Sequence, residues 1–432
     1  MSELVKKLLF GETRIVVFGA GYIGYSTAAF YAKNGIHSIL IDIDEEKVNK
    51  INKGQPPYPE LQGWLGFNVA PISHLIEATT DWTEATKPET KVIFICVNTE
   101  HDAKPWTDAL KDVCQKIANH PEDPLIIIES TMAPGWVDTI VRPILFGRIA
   151  VAPRRDWFTL PGMTVETLDR VVGATDPETL TEAISVLGII SKKIHPASDH
   201  KVAEMVKSIE NAFRHVGIAL SYQLAVGFPH IDTREALRLA ATKWNMELYQ
   251  PSTGIGGYCL PLAPKYLLSA TDTDISIFEE AIKADKLMPY QIGKNLKKNG
   301  VESACILGIA YKGDLKVHIA SPGLRLASVL ESMEIRTSIH DPLYDSEEIR
   351  KLSSANPVNS LTSLHLFDAI IVTCDHIQYK TIDQEQLLNG LTSCKIILDA
   401  HGVWEKYRDL FEEKGIHYRV IGEPDWIDPS DL

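Results

Sequence analysis

The residues best suited to chemistry lie in Thr253-Gly254-Ile255-Gly256-Gly257-Tyr258-Cys259-Leu260-Pro261. Three glycines within four positions let the backbone enter conformations closed to other residues and approach a ligand closely. A thiol follows, then a proline that stiffens the exit. Backbone N–H groups around such a thiol favour the thiolate, the nucleophilic form. A tight turn holding a buried, inert cysteine fits the same letters, so this stretch alone leaves both readings open.

A second constellation is more specific. The apolar run at 14–18 enters Gly19-Ala20-Gly21-Tyr22-Ile23-Gly24, a helical pattern covers 25–33, and a second apolar run at 37–42 ends in Asp42. Strand, glycines, helix, strand and acid together are the full context of a dinucleotide site. The glycines make the turn and seat a pyrophosphate on the helix N-terminus, while Asp42 accepts from ribose hydroxyls. A carboxylate there repels a 2′-phosphate, so NAD is expected rather than NADP. Lys207 and Asn211 lie four apart in a helical pattern at 201–226 and share a helix face, an arrangement that is usually only solvated surface. Asn98-Thr99 and Ser130-Thr131 follow two apolar runs and could hold a nicotinamide or a water.

These residues must be positioned by a sheet scaffold. Further apolar runs at 92–97, 125–128 and 149–151 alternate with helical stretches, which describes a parallel sheet covered on both faces. After 199 the pattern turns helical, at 201–226, 233–244 and 275–298. A second α/β unit follows, with strands at 305–310, 337–340, 369–373 and 396–399. The reading is two Rossmann-like doubly wound sheet domains joined by a long-helix region: 1–198, 199–299 and 300–432. A cleft between the sheets is the natural ligand site.

The 432 residues carry a formal charge of −14, which argues against a general nucleic-acid binder. Six cysteines without a CxxC pair indicate neither zinc nor a disulfide framework, and no metal site is expected. No apolar run reaches membrane-spanning length and the first residues lack a signal-peptide core, so a soluble cytoplasmic protein is expected.

The order of these pieces resembles the UDP-glucose/GDP-mannose dehydrogenase family. The segments that carry the resemblance are Gly19–Gly24 with Asp42, residues 94–99, Ser130-Thr131-Met132-Ala133-Pro134-Gly135, residues 203–213 and the glycine-cysteine loop. Gly308-Ile309-Ala310-Tyr311-Lys312 through Ser321-Pro322 and His340-Asp341-Pro342 complete them. The resemblance implies a nucleotide-sugar 6-dehydrogenase that oxidises an alcohol to a carboxylate with two NAD and one water. Cys259 would capture the intermediate aldehyde and carry a thioester. Lys207 and Asn211 would stabilise oxyanions and Thr131 would position the water. It also implies cofactor contacts at Gly19, Gly21, Tyr22, Ile23, Gly24, Asp42, Lys47, Val97, Thr99 and Thr131. Substrate contacts would come from Lys207, Asn211, Gly256, Gly257 and Lys312, and a homodimer would form through the central helix.

Three departures qualify this. The family's Asp four residues after the cysteine is Ala263 here, its Pro-Glu is Pro153-Arg154, and its Asp-x-Arg before Ser-Pro is Val317-His318-Ile319. One expectation is that Arg154 or Arg155 contacts an anionic group on the substrate; the other is that Asp156 or a nearby acid takes over. The lost acids also keep open a single two-electron oxidation of a related sugar nucleotide or hydroxy acid. A catalytically weak protein that binds NAD and a nucleotide sugar is the third reading.

Overall fold

Strand residues in this chain alternate between two cores. Ile15 and Val17 of β1 (Arg14–Phe18) belong to one buried cluster, Val16 and Phe18 to the other. In β11 (Ser303–Leu307), Ala304 and Ile306 face one cluster, Cys305 and Leu307 another. Both faces of each sheet are therefore covered, which is why these strands read as unbroken apolar runs.

The computed structural model describes residues 1–158 and 160–427. It divides into two compact units, Met1–Glu210 with Lys265–Asp272, and Asn211–Pro264 with Thr273–Leu432. In the N-terminal unit β2 (Ser38–Ile41), β3 (Ile76–Thr79) and β4 (Thr90–Ile95) join β1, and a small hairpin is made by β5 (Glu100–His101) and β6 (Lys104–Pro105). The sheet extends through β7 (Leu125–Ile128), β8 (Arg148–Val151), β9 (Arg170–Ala174) and β10 (Ile194–Pro196). Its order is β10-β9-β8-β7-β4-β1-β2-β3. The order reverses between β1 and β4, the crevice where such sheets bind ligands. One feature departs from the parallel expectation: β9 runs antiparallel to β8, pairing Ala150 with Ala174.

The C-terminal unit adds β12 (Arg336–His340), β13 (Asn356–Pro357), β14 (Ala369–Val372), β15 (Ile396–Asp399) and β16 (His417–Val420) in the order β13-β12-β11-β14-β15-β16, all parallel. The switch point recurs between β11 and β14. The two units also share their first turn. A side chain at Gly24 would meet the Gly19 carbonyl at 1.8 Å, and one at Gly323 would meet the Gly308 carbonyl at 2.3 Å. Asp42 accepts from the Ala20 N–H, and Asp341 from those of Ile309 and Ala310. Residues 308–321, Lys312 among them, separate β11 from the next helix where only 19–21 separate β1 from its own, so the second copy of the turn runs through a loop before its helix begins.

The long helix spans His200–Gly227 and a second one Ser276–Lys298. The stretch after the triple glycine is itself helical, Cys259–Leu268, with Pro264 inside it. Among the described residues, no helix is long and apolar enough to cross a membrane.

Candidate functional site

In the N-terminal unit the first turn is closed by sterics. Gly19 has φ +91° and a side chain there would lie 2.4 Å from the Cys96 carbonyl. Gly21 caps the helix Tyr22–Lys33 without any side-chain cap bond, and nothing lies within 4 Å of where its Cβ would be. That leaves the helix N-terminus open to an anion, the arrangement a pyrophosphate requires. Asp42 Oδ2 accepts from Ala20 at 2.6 Å and Oδ1 from Asp44 at 2.9 Å, so the carboxylate that would face the ribose also ties the turn. Lys47 Nζ stands 3.9 Å from Asp42. Burial works against that ammonium, but Asp42, Tyr58 and Asp44 together hold its pKa above the ordinary lysine value. Tyr22 stacks on Tyr58 at 4.3 Å and its hydroxyl bonds to Glu60, fixing the rim of the turn. These residues fit a dinucleotide.

Val97, Thr99 and Thr131 meet at the carboxyl ends of β4 and β7. The Ser130 hydroxyl donates to the Val97 carbonyl at 2.7 Å, and that of Thr99 to the Thr131 carbonyl at 2.6 Å. Tyr266 donates to the Thr99 carbonyl at 2.8 Å. From the long helix, the Glu204 carboxylate accepts from Gly135 and Val137, both at 2.7 Å. Burial raises the Glu204 carboxyl although those two N–H groups oppose the shift. Lys207 follows one turn later and Asn211 another, both partly exposed.

Arg154 overturns an expectation. Its guanidinium is buried within the N-terminal unit and bonds Asp156, Thr27, Ser26 and Glu129. Every face is used by the protein, so it is not the substrate contact expected from its position. Asp156 is likewise occupied, at 2.6 Å from Arg154 with 1% of its side chain exposed, and is not a free base. Arg155 pairs with Glu210.

In the C-terminal unit the triple glycine packs beneath Tyr311. A Cβ on Gly256 would meet the Tyr311 Cβ at 2.5 Å, and Gly257, at φ +86°, lies against the Tyr311 ring. Gly257 donates to the Ile319 carbonyl at 2.8 Å. At the position where an arginine was expected, the backbone of Ile319 thus holds the glycine loop. Cys259 occupies the first position of its helix and is exposed; the other five cysteines are buried or half-buried. Burial pushes the Cys114 and Cys394 thiols up to about 12. Ala263, four residues on, is buried and carries no group for proton transfer. Lys312 is exposed on the loop after Gly308, where Gly313 donates to Asp375 at 3.1 Å and Asp314 to His376 at 3.0 Å.

The residues missed from sequence are the ones that hold these pieces: Glu129, Glu204, Tyr266, Asp285, Arg325 and His376. Two carried a signal. Glu129 follows the wholly apolar run Leu125–Ile128, and a carboxylate there needs a buried partner. Glu204, Ser208 and His215 share a helix face with Ala212.

Three family models match the chain, all described as UDP-glucose/GDP-mannose dehydrogenase family: the NAD binding domain over residues 13–187, the central domain over 201–286 and the UDP binding domain over 305–406. UDP-N-acetyl-D-mannosamine dehydrogenase of Methanocaldococcus jannaschii is 28% identical over 440 residues, covering 95% of this chain and 96% of its own. The solved UDP-D-ManNAc dehydrogenase of Pyrococcus horikoshii has a TM-score of 0.82 at 26% identity, covering 96% of this chain and 100% of its own. A UDP-glucose dehydrogenase from Pyrobaculum islandicum shares the fold, with a TM-score of 0.80 at 20% identity over 95% of this chain and 98% of its own.

Proposed function

This chain belongs to the UDP-glucose/GDP-mannose dehydrogenase family, and from that membership we propose that it oxidises C6 of a UDP-linked sugar from alcohol to carboxylate through a thioester on Cys259. The relatives that match over its whole length favour UDP-N-acetylmannosamine as the sugar nucleotide.

NAD is the cofactor, and when bound it supplies the hydride acceptor. Gly19, Gly21, Tyr22, Ile23 and Gly24 would hold its pyrophosphate, Asp42 and Lys47 its adenosine side, and Val97, Thr99 and Thr131 its other end. In this reading the Cys259 sulfur adds to the C6 aldehyde carbon, giving a thiohemiacetal that is oxidised to a thioester. Water then attacks the thioester carbon, the C–S bond breaks and the thiol returns. The Lys207 ammonium and the Asn211 amide stabilise the oxygen anions from one helix face. Thr131 orients the water, its own backbone held by Thr99. Lys312, with Gly256 and Gly257, contacts the nucleotide sugar.

One observation carries the proposal: Cys259 is the exposed one of the six cysteines, and it opens a helix directly after the glycine loop, where a ligand could reach its sulfur. A homodimer through the long helix completes the reading, because Phe213 and Leu220 on it and Phe228 just past its end are exposed apolar side chains, Phe213 by 72%.

The test is the yield of NADH per UDP-N-acetylmannosamine consumed. Two supports the four-electron route, and one assigns a single oxidation. Cys259→Ala must abolish acid formation; full turnover in that variant would exclude the thioester.

A further inference from the structure

Asp285 lies on the helix Ser276–Lys298 within the C-terminal unit, 4% exposed. Its Oδ1 accepts from the Ile255 N–H at 2.7 Å. Arg325, from the helix Pro322–Ser332, donates to Asp285 Oδ2 at 2.7 Å and Oδ1 at 3.2 Å. The same guanidinium donates to the Ile255 carbonyl at 3.1 Å. Both polar groups of the Ile255 backbone therefore end on one ion pair. Residue 254 must be glycine for the guanidinium to fit, since a Cβ there would lie 2.3 Å from Arg325 Nη2.

Two further anchors follow along the loop. Gly257 bonds the Ile319 carbonyl, and the His215 ring, 1% exposed, bonds the Leu260 carbonyl through Nδ1 at 3.0 Å. Burial lowers the His215 pKa, so the ring is a neutral Nδ1–H donor at pH 7. The backbone around Cys259 is thus fixed at 255, 257 and 260. A buried ion pair adds little stability over an apolar pair of equal size, but its planar, bidentate geometry fixes orientation.

We propose that Asp285 and Arg325 are positioning residues for the Cys259 thiol, setting through Ile255 the loop geometry in which the sulfur reaches the substrate carbon. The proposal rests on the reading of Cys259 as nucleophile. A displacement of about 1 Å at a reacting atom costs on the order of a hundredfold in rate.

The experiment compares Asp285→Asn, Arg325→Met and Arg325→Lys with wild type by thermal melting, kcat, KM for NAD, NADH per sugar, and the iodoacetamide alkylation rate of Cys259 read by mass spectrometry. Asp285→Asn and Arg325→Met are expected to lower kcat at least tenfold with KM for NAD within twofold. NADH per sugar should fall below two as aldehyde escapes, and Cys259 alkylation should change at least threefold. Arg325→Lys keeps the charge but not the fork, so it should recover the melting temperature without recovering kcat. A lowered melting temperature with kcat and stoichiometry within twofold of wild type would mean the pair serves stability alone and would overturn the proposal. If Cys259→Ala retains full turnover, the nucleophile reading has failed on its own. Alkylation then decides the positioning claim, and unchanged rates in both variants overturn it.

Discussion

Arg154 and Glu129 meet inside the N-terminal unit, Nη1 to Oε2 at 3.5 Å, with 2% and 0% of their side chains exposed. Arg170 bonds the other oxygen of Glu129, and Asp156 takes the far edge of Arg154. Two acids and two guanidiniums balance. Burial would raise the Glu129 carboxyl, yet Arg170 and Arg154 outweigh it and hold it below the ordinary range. Because Arg154 also bonds Ser26 and Thr27, the cluster ties the helix behind the glycine turn to the end of β7.

Arg154→Glu therefore does not restore a catalytic acid. It places a third carboxylate in a buried site and removes one of its two cations. Breaking a buried pair costs about 3–5 kcal/mol, or roughly 10 °C in melting temperature for a unit of this size. Thermal melting should show that loss, and substrate preference in the remaining folded enzyme should not change. A stable variant with altered preference would return Arg154 to the substrate site.

The elements of this fold were legible where local pattern decides them. Unbroken apolar runs gave the central strands, and 3.6-residue periodicity gave the helices near His200–Gly227 and Ser276–Lys298. The antiparallel β9 was not, because its direction is set by pairing with β8 and not by its own residues. The helix beginning at Cys259 was hidden by Pro261 and Pro264, though a proline in a first turn has no helical N–H to lose. The role of Arg154 is hidden for a similar reason. Its partners Thr27 and Glu129 are distant in sequence, and only the packed sheet brings them together.

Two glycines of the first turn separate steric need from ligand contact. Gly24→Ala places a methyl 1.8 Å from the Gly19 carbonyl, so both melting temperature and NAD affinity should fall. Gly21→Ala meets no atom within 4 Å and keeps a φ of −75° that alanine accepts, so melting should change by no more than about 1 °C. Calorimetric titration with NAD should nevertheless show affinity lowered at least tenfold, because the methyl fills the approach of the pyrophosphate. Unchanged affinity in Gly21→Ala would remove the pyrophosphate from this turn.

His340 sets a pH dependence of stability. Burial lowers its pKa to about 4, with Asp341 opposing and His376 assisting the shift. Its Nδ1 bonds the Tyr379 hydroxyl at 2.9 Å, and that hydroxyl donates to the His340 carbonyl. The folded pKa lies below the unfolded value of about 6.5, so the unfolded chain binds the extra proton between them. Stability should be full above pH 6.5 and fall as pH drops toward 4, by roughly 3 kcal/mol across that window. His340→Gln should flatten this slope in denaturant titrations run from pH 7 to 4.5; an equal slope would assign it to other groups.

Glu204 couples the helix that bears Lys207 to the loop that bears Thr131. Its two oxygens each accept one N–H, from Gly135 and from Val137, at a site 1% exposed. Glutamine offers one acceptor for those two donors, and its amide nitrogen faces the other N–H. An unsatisfied buried donor costs about 1–3 kcal/mol, and the loop must shift to relieve it. Thr131 lies four residues before Gly135 and Lys207 one turn after Glu204, so Glu204→Gln should lower kcat at least tenfold while KM for NAD, whose proposed site is chiefly the glycine turn, stays within threefold. Since burial raises the Glu204 carboxyl, its protonation should also produce an acid limb in the kcat profile above the ordinary carboxylate range, which the glutamine variant would lack. Wild-type kcat in that variant, with the acid limb intact, would show that helix and loop are held together by other contacts.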